Sequence, residues 1–188
     1  MRVRSIQHNQ LTKTWHINVF DWNEQIRFKP IPGSTVEECR LQFRKQIGLE
    51  EPTIEEEIDN LRLRTPDNIY AAMLALKEIG EQAVEPLVQS LLEEKESPTF
   101  QDRVVDTLKM IDSSKTTALL IKALEDLDTR KRWSAIRALA KIGDNGAIEP
   151  LKQLIAVETS VLPVPNALPI DLKKNAEEAL KWIIASGR

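Results

Sequence analysis

The hydrophobic positions in the second part of the chain recur as a short motif, Leu-x-x-Ile or its close equivalent. Four copies begin at Leu76, Leu108, Leu139 and Leu180, so the successive intervals are 32, 31 and 41 residues. Apolar side chains three or four residues apart share one face of a helix. An interval of about 30 residues accommodates two helices and their turns, which predicts one helical hairpin per copy. The longer third interval coincides with the proline-rich stretch 161–170.

Glycine and proline residues separate the predicted helices at regular places. Gly80 and Gly143 follow the first and third motifs, and Asp112 takes that place in the second. Glycine adopts the left-handed backbone that ends many helices. Pro86 and Pro150 lie near the start of the next apolar segment, where a missing amide hydrogen costs little. Together the pattern predicts a mainly α chain with a short α-α superhelix, of about three hairpins plus a terminal helix, over residues 65–188.

The third hairpin has the most regular sequence. Residues 130–144 read RKRWSAIRALAKIGD, and residues 147–151 read AIEPL. They resemble the HEAT-like repeat first described in phycobilisome lyases, and the resemblance covers roughly residues 66–188. It implies a HEAT-like solenoid. That family includes chromophore lyases, assembly factors and protein-interaction scaffolds, and its motif consists of packing residues, so the resemblance implies binding in a general sense only.

The N-terminal region has a different pattern. Apolar and polar residues alternate over 15–19 and again over 26–28, which predicts a β-hairpin within residues 1–33. Two strands alone are marginal in water, so we expect this hairpin to pack on helices or on another chain.

Two capping boxes predict helices between the hairpin and the repeats. Ser34 to Glu37 and Thr53 to Glu56 both have the Ser/Thr-x-x-Glu pattern that opens a helix. Residues 34–64 are therefore predicted to link and cap the solenoid, with the second helix shielding its apolar end. The first repeat helix is predicted to start at Thr65-Pro66.

Composition and charge narrow the class of protein. The chain has 188 residues, 41% of them hydrophobic and 29% charged, which suits a folded globular protein. Net charge is +4 over residues 1–49, −9 over 50–96 and +2 over 97–188. Such an acidic middle argues against nucleic-acid binding, which uses a broad basic face. No apolar run approaches the roughly 20 residues needed to cross a membrane. With Cys39 as its one cysteine the chain cannot form an intrachain disulfide, and we expect a cytoplasmic protein.

The residues available for catalysis are few. The chain has two histidines, one cysteine and one tyrosine, and it lacks phosphate-binding, zinc-protease and nucleophile-elbow motifs. His8 and His16 are only a weak indication of a metal site, and we expect both to be surface histidines. Cys39 lies on the apolar stripe of a predicted helix, which favours a buried structural thiol. We therefore predict no catalytic residue, no cofactor and no metal.

One position of the repeat suggests a binding surface. The position six residues before the repeat leucine is polar in two units, which carry Asp102 and Lys174. The other two units carry an aromatic residue there, Tyr70 or Trp133. Helical geometry turns Trp133 away from the core stripe, the apolar face formed by Ala135, Leu139 and Ile142. Aromatic residues are enriched in binding hot spots. The hypothesis is a partner surface formed by Tyr70, Arg130, Arg132, Trp133 and Arg137. The alternative is that Trp133 packs on a neighbouring hairpin and that the arginines are solvated.

The sequence thus favours a non-catalytic scaffold, adaptor or assembly factor that binds a protein partner through its repeats. The alternative, implied by the resemblance, is a chromophore-handling subunit related to the phycobilin lyases. Oligomeric state is left open by the sequence.

Overall fold

The computed structural model describes residues 3–9, 14–19, 25–28, 42, 45, 52–64, 66–94, 97–162 and 169–186. The chain is mainly α-helical and divides into two compact units, residues 1–79 and 80–188. This division falls at the turn of the first predicted hairpin. The predicted domain boundaries after residues 33 and 64 remain predictions.

The first unit contains a three-stranded antiparallel sheet in the order β1-β2-β3. Its strands are β1 (Val3–Asn9), β2 (Thr14–Val19) and β3 (Gln25–Phe28). The last two form the predicted hairpin, in which Ile17 pairs with Ile26. The strand β1 was not predicted, because a register shift between Val3 and Ser5 breaks its alternation of apolar and polar residues.

The described part of this unit also contains the helices α1 (Ile54–Asn60) and α2 (Pro66–Ile79). The predicted capping box is present, since the Thr53 hydroxyl accepts from the Glu56 amide at 3.2 Å. The helix α1 packs against α2. Of the helix predicted from Ser34 onwards, Gln42 and Lys45 are helical. The remainder lies outside the described residues.

The second unit, in its described residues, is a stack of six helices. They are α3 (Glu81–Glu93), α4 (Pro98–Ile111), α5 (Ser114–Ala123), α6 (Thr129–Ile142), α7 (Ile148–Val157) and α8 (Leu172–Ser186). A 3₁₀ turn, Asn145–Ala147, leads into α7. Each helix contacts its neighbours in sequence or the equivalent helix of the next repeat, as α3 does with α4, α5 and α6. This is the contact pattern of a helical repeat stack.

Repeat leucines contribute to the apolar core of each unit. Leu108 and Leu139 are fully buried, as is Leu76 in the first unit. In the terminal helix Ile183 is fully buried, whereas Leu180 is half-buried. Each fully buried leucine contributes about 2 kcal/mol through removal of apolar surface from water.

The turns at Asp112 and Gly143 have the predicted left-handed backbone, whereas Gly80 combines a positive φ with a ψ of −134°. Gly80, Asp112 and Gly143 have φ values of 72°, 54° and 78°. At the ends of α4 and α6, the amides of Asp112 and Gly143 donate to the carbonyls of Leu108 and Leu139 at 3.1 and 3.0 Å. The left-handed residue thus satisfies a helix-terminal carbonyl and reverses the chain.

The proline-rich stretch begins and ends in an extended backbone. The strands β4 (Val161–Leu162) and β5 (Ile170–Asp171) pair in antiparallel fashion. The first contacts α6 and the second contacts α8, so both ends of the stretch lie on the helices of this unit. Residues 163–168 lie outside the described residues.

Candidate functional site

An open groove of about 750 Å³ lies between α4 and α6 and extends to the C-terminal end of α8. Its floor includes Val105 and Ala138, both buried. Trp182 of α8 lines one side, and 64% of this residue is exposed. The groove therefore combines an apolar floor with a large exposed aromatic ring, inside one unit of the fold.

Charged side chains join the two helices along this groove. The Lys141 ammonium lies 2.9 Å from an Asp106 carboxylate oxygen and 3.6 Å from one of Asp102. Asp102 also lies 3.6 Å from the Arg137 guanidinium. Residues 102 and 106 are one helical turn apart, as are 137 and 141, so two acidic positions on α4 face two basic positions on α6. These groups are one third to one half exposed. Each pair therefore contributes at most about 1 kcal/mol.

A buried glutamine ties three helices together beneath the groove. The Gln101 amide nitrogen lies 3.1 Å from the Ser134 hydroxyl and 3.2 Å from the Glu94 carbonyl oxygen at the end of α3. Its amide oxygen accepts a hydrogen bond from the Arg137 guanidinium at 3.2 Å. A helix-terminal carbonyl needs such a donor, so Gln101 both satisfies α3 and orients Arg137.

Trp133 and Arg137 lie together on α6. The Arg137 guanidinium carbon is 4.9 Å from the centre of the Trp133 ring, a cation–π arrangement between residues one helical turn apart. Trp133 is half-buried rather than fully exposed. The Trp133 ring, the Gln101 amide oxygen and the Asp102 carboxylate all lie close to the Arg137 guanidinium.

Arg132 turns away from this groove and stabilises two loops. Its guanidinium donates to Glu158 at 2.9 Å, to the Asp126 carbonyl at 2.8 Å and to the Ser160 hydroxyl at 2.9 Å. Burial alone would raise the pKa of Glu158. The Ser160 amide and hydroxyl and the Arg132 guanidinium outweigh that effect, so the pKa lies below its ordinary value. Because Arg132 makes these hydrogen bonds within the chain, we exclude it from the candidate partner surface.

The two remaining residues of the predicted partner surface, Arg130 and Tyr70, do not line the groove between α4 and α6. Arg130 is half-buried in the first turn of α6. Tyr70 belongs to α2 of the first unit, where it is 58% exposed. Of the five predicted residues, the structure brings Trp133 and Arg137 into contact and gives Arg132 a different set of partners.

Trp182 and Lys141 were missed at the level of sequence, although a signal was present. Two residues after the repeat leucine the four units carry Glu78, Met110, Lys141 and Trp182. The fourth has an aromatic residue where the others do not, which is the same kind of departure that identified Trp133. Asp102 was treated only as an example of the usual polar residue, because its partners on α6 are 35 and 39 positions away in the chain.

No group of three or more metal-binding side chains is assembled in the part of the chain that the structure describes. In the sheet, His8 pairs with Trp15 and His16 pairs with Gln7. Cys39 lies outside the described residues. Within the described segments, no helix is both long enough and apolar enough to traverse a bilayer.

Two family models of helical repeats match parts of the chain. Residues 84–161 match HEAT repeats, and residues 69–93 match the PBS lyase HEAT-like repeat. No curated protein matches the sequence. Among solved structures, the complex of CpcE and CpcF of phycocyanin lyase from Nostoc sp. PCC7120 is similar, with 22% identity and a TM-score of 0.42. The match covers 73% of this chain and 55% of the lyase chain, so this chain spans about half the length of that relative.

Proposed function

We propose that this chain, a HEAT-repeat protein with repeats of the phycobilisome-lyase type, is a non-catalytic scaffold or assembly factor that binds a protein partner in the groove between α4 and α6. The observation that carries the proposal is Trp182, which is 64% exposed beside that groove. An exposed tryptophan in a concave site is a typical anchor for a partner, since it buries a large area with little loss of side-chain freedom.

The second support is the fixed position of Arg137. Its guanidinium is held by the Trp133 ring, the Gln101 amide oxygen and the Asp102 carboxylate. A side chain that is already ordered loses little entropy when a partner binds, and ordering of a free side chain costs about 0.5–1.5 kcal/mol. Arginine is also enriched at binding hot spots. The groove thus offers an aromatic anchor and a preorganised cation.

The test compares two exposed apolar side chains of the same unit. Trp182 lies beside the groove, whereas Val157, at the end of α7, is 76% exposed and does not line it. Proteins captured from the source-cell lysate are compared for wild type, Trp182→Ala and Val157→Ala, and each interactor is then titrated as a purified protein. We expect Trp182→Ala to lower the affinity for the specific interactor about 30-fold, the equivalent of about 2 kcal/mol. Val157→Ala is expected to leave the affinity unchanged. Equal affinity for wild type and Trp182→Ala would rule out this binding site.

A second candidate function is chromophore handling, as in a subunit related to the phycobilin lyases. The volume of the groove, about 750 Å³, is within the range of small-molecule sites. Arg137 and Lys141 are suited to the carboxylates of a linear tetrapyrrole. Titration of the protein with a bilin, followed by visible absorption, tests this candidate. A saturable spectral shift that Arg137→Gln weakens would favour it over the scaffold, and an unchanged spectrum would eliminate it.

A further inference from the structure

A second groove, of about 460 Å³, lies between α3 and α5. Its apolar lining is formed by Val88, Leu92, Leu119 and Ala123. None of its lining residues belongs to the groove between α4 and α6. It is therefore a separate surface, and a ligand bound there would be additional to the partner proposed for the first groove.

Acidic side chains predominate around this apolar lining. Glu85, Glu93, Glu125 and Asp126 line the groove, against Lys122 and Lys131, so the lining carries a net charge of −2. Glu85 is 3.5 Å from Lys115, and Asp126 is 3.7 Å from Lys131. Glu93 and Glu125 are both exposed to solvent. They lie near the last turn of α3 and just beyond the end of α5.

The two helices give the groove a negative end. The ion pair between Glu85 and Lys115 joins the N-terminal halves of α3 and α5, whereas Glu93 and Asp126 line the groove at their C-terminal ends. The helices therefore run in the same direction. The C-terminus of each helix carries a partial charge of about −0.5, and this charge adds to that of the carboxylates there.

An exposed leucine lies on the loop at this same end. Leu127 follows Asp126 and is 97% exposed. The loop is nevertheless fixed, since the Asp126 and Leu127 carbonyls accept from the Arg132 guanidinium at 2.8 and 3.2 Å. A leucine presented on a fixed loop beside an acidic apolar groove adds apolar contact area for a bound segment.

From these features we infer that the groove between α3 and α5 binds an amphipathic helix of a partner protein, with an apolar stripe flanked by lysine or arginine. The apolar stripe contacts the apolar lining, and the basic residues lie against Glu93 and Glu125. The groove follows helices of 13 and 10 residues. These lengths correspond to about 15–20 Å, or three to four turns of a bound helix. The negative lining of the groove disfavours binding of nucleic acids and anionic membranes.

The test uses two labelled synthetic peptides of about 18 residues that share one leucine stripe. One carries lysine at its flanking positions and the other carries glutamate. Fluorescence anisotropy is measured with the full chain. We expect saturable binding of the lysine peptide that weakens with added salt, and at least tenfold weaker binding of the glutamate peptide, because like charges repel at the rim. Equal binding of both peptides would overturn the inference.

A pair of variants with equal charge changes locates the site. Glu93→Gln with Glu125→Gln removes two charges from the groove, and Glu149→Gln with Glu178→Gln removes two exposed charges elsewhere in the same unit. The first pair is expected to lower the affinity for the lysine peptide about tenfold, and the second pair is expected to leave that affinity unchanged. Equal affinities for the two would contradict the inference. A dimer of the protein alone that the first pair dissociates would show that a second copy occupies the groove, and this also would overturn it.

Discussion

At the scale of single residues, the Asp144 carboxylate fixes a turn between helices through two hydrogen bonds. Asp144 accepts from the Thr117 hydroxyl at 2.6 Å and from the Gly146 amide at 2.8 Å. It thereby links α5 to the turn that precedes α7. The Thr117 hydrogen bond, and then that of Gly146, hold the pKa of Asp144 below its ordinary value, because both stabilise the charged carboxylate.

This arrangement predicts a pH dependence of stability. The folded pKa of Asp144 is lower than the unfolded one, which is near 4, so its contribution is complete above that pH and is lost as the pH falls through the folded value. Asp144→Asn should lower the free energy of unfolding by about 1 kcal/mol at pH 7 and by much less near pH 2. Urea unfolding of wild type and variant at both pH values measures this difference, with Glu178→Gln as the control. A difference that does not change between the two pH values would contradict it.

The sequence allowed some of these residue roles to be predicted, and others only structure reveals. Trp133 was identified because one helical period places it opposite the core stripe, and Trp182 was open to the same argument. The role of Arg132 was not accessible, since Glu158 and Ser160 lie 26 and 28 residues away in the chain. Helical periodicity gives the direction of a side chain, and it says nothing about which distant loop lies in that direction.

At the scale of elements, a residue with a positive φ follows the first helix of each hairpin, and its identity differs between repeats. Gly143 has φ 78° and an added Cβ would meet nothing within 4 Å, so only the backbone conformation disfavours a side chain there. Asp112 occupies the equivalent place with φ 54°. An L-residue in this conformation costs about 1 kcal/mol, which aspartate tolerates better than most residues do.

Opposite substitutions at these two turns should therefore have opposite effects. We expect Gly143→Ala to lower the free energy of unfolding by about 1 kcal/mol and Asp112→Gly to raise it by up to about 1 kcal/mol. Thermal and urea unfolding of the two variants measure the changes. Stabilisation by Gly143→Ala, or clear destabilisation by Asp112→Gly, would show that backbone strain does not control these turns.

The elements themselves were largely predictable because their signals are local. The helix starts at Thr53 and Pro66 and the turns at Gly80, Asp112 and Gly143 are set by capping and backbone chemistry. The strand β1 escaped prediction because the irregularity between Val3 and Ser5 puts Val3 and Ile6 out of phase with a two-residue period. A regular alternation is the signal for a strand, and a bulge removes it.

At the scale of the whole molecule, equivalent repeat positions differ in burial according to their neighbours. Leu139 is fully buried in α6, which contacts α5 and α8, whereas Leu180 in the terminal helix is half-buried. The spacing of the leucines predicted the hairpins, yet a groove between equivalent helices arises only when neighbouring repeats stack. Its lining comes from α4, α6 and α8 together, so no single repeat contains the site.

The same truncation at these two positions should therefore have unequal effects. Leu139→Ala is expected to lower the free energy of unfolding by about 3 kcal/mol, and Leu180→Ala by about half of that or less. Urea unfolding followed by circular dichroism measures both. Equal losses would mean that the terminal helix is packed as tightly as the internal ones.

The most direct test of the proposed binding groove is site-specific crosslinking in the source-cell lysate. A photoreactive phenylalanine analogue replaces Trp182 in one variant and Val157 in another, and the proteins are illuminated with their natural partners present. The proposed function predicts one specific adduct from position 182, which excess unmodified wild-type protein prevents, and no such adduct from position 157. The same adducts from both positions, or none from position 182 while the partner still binds, would contradict it.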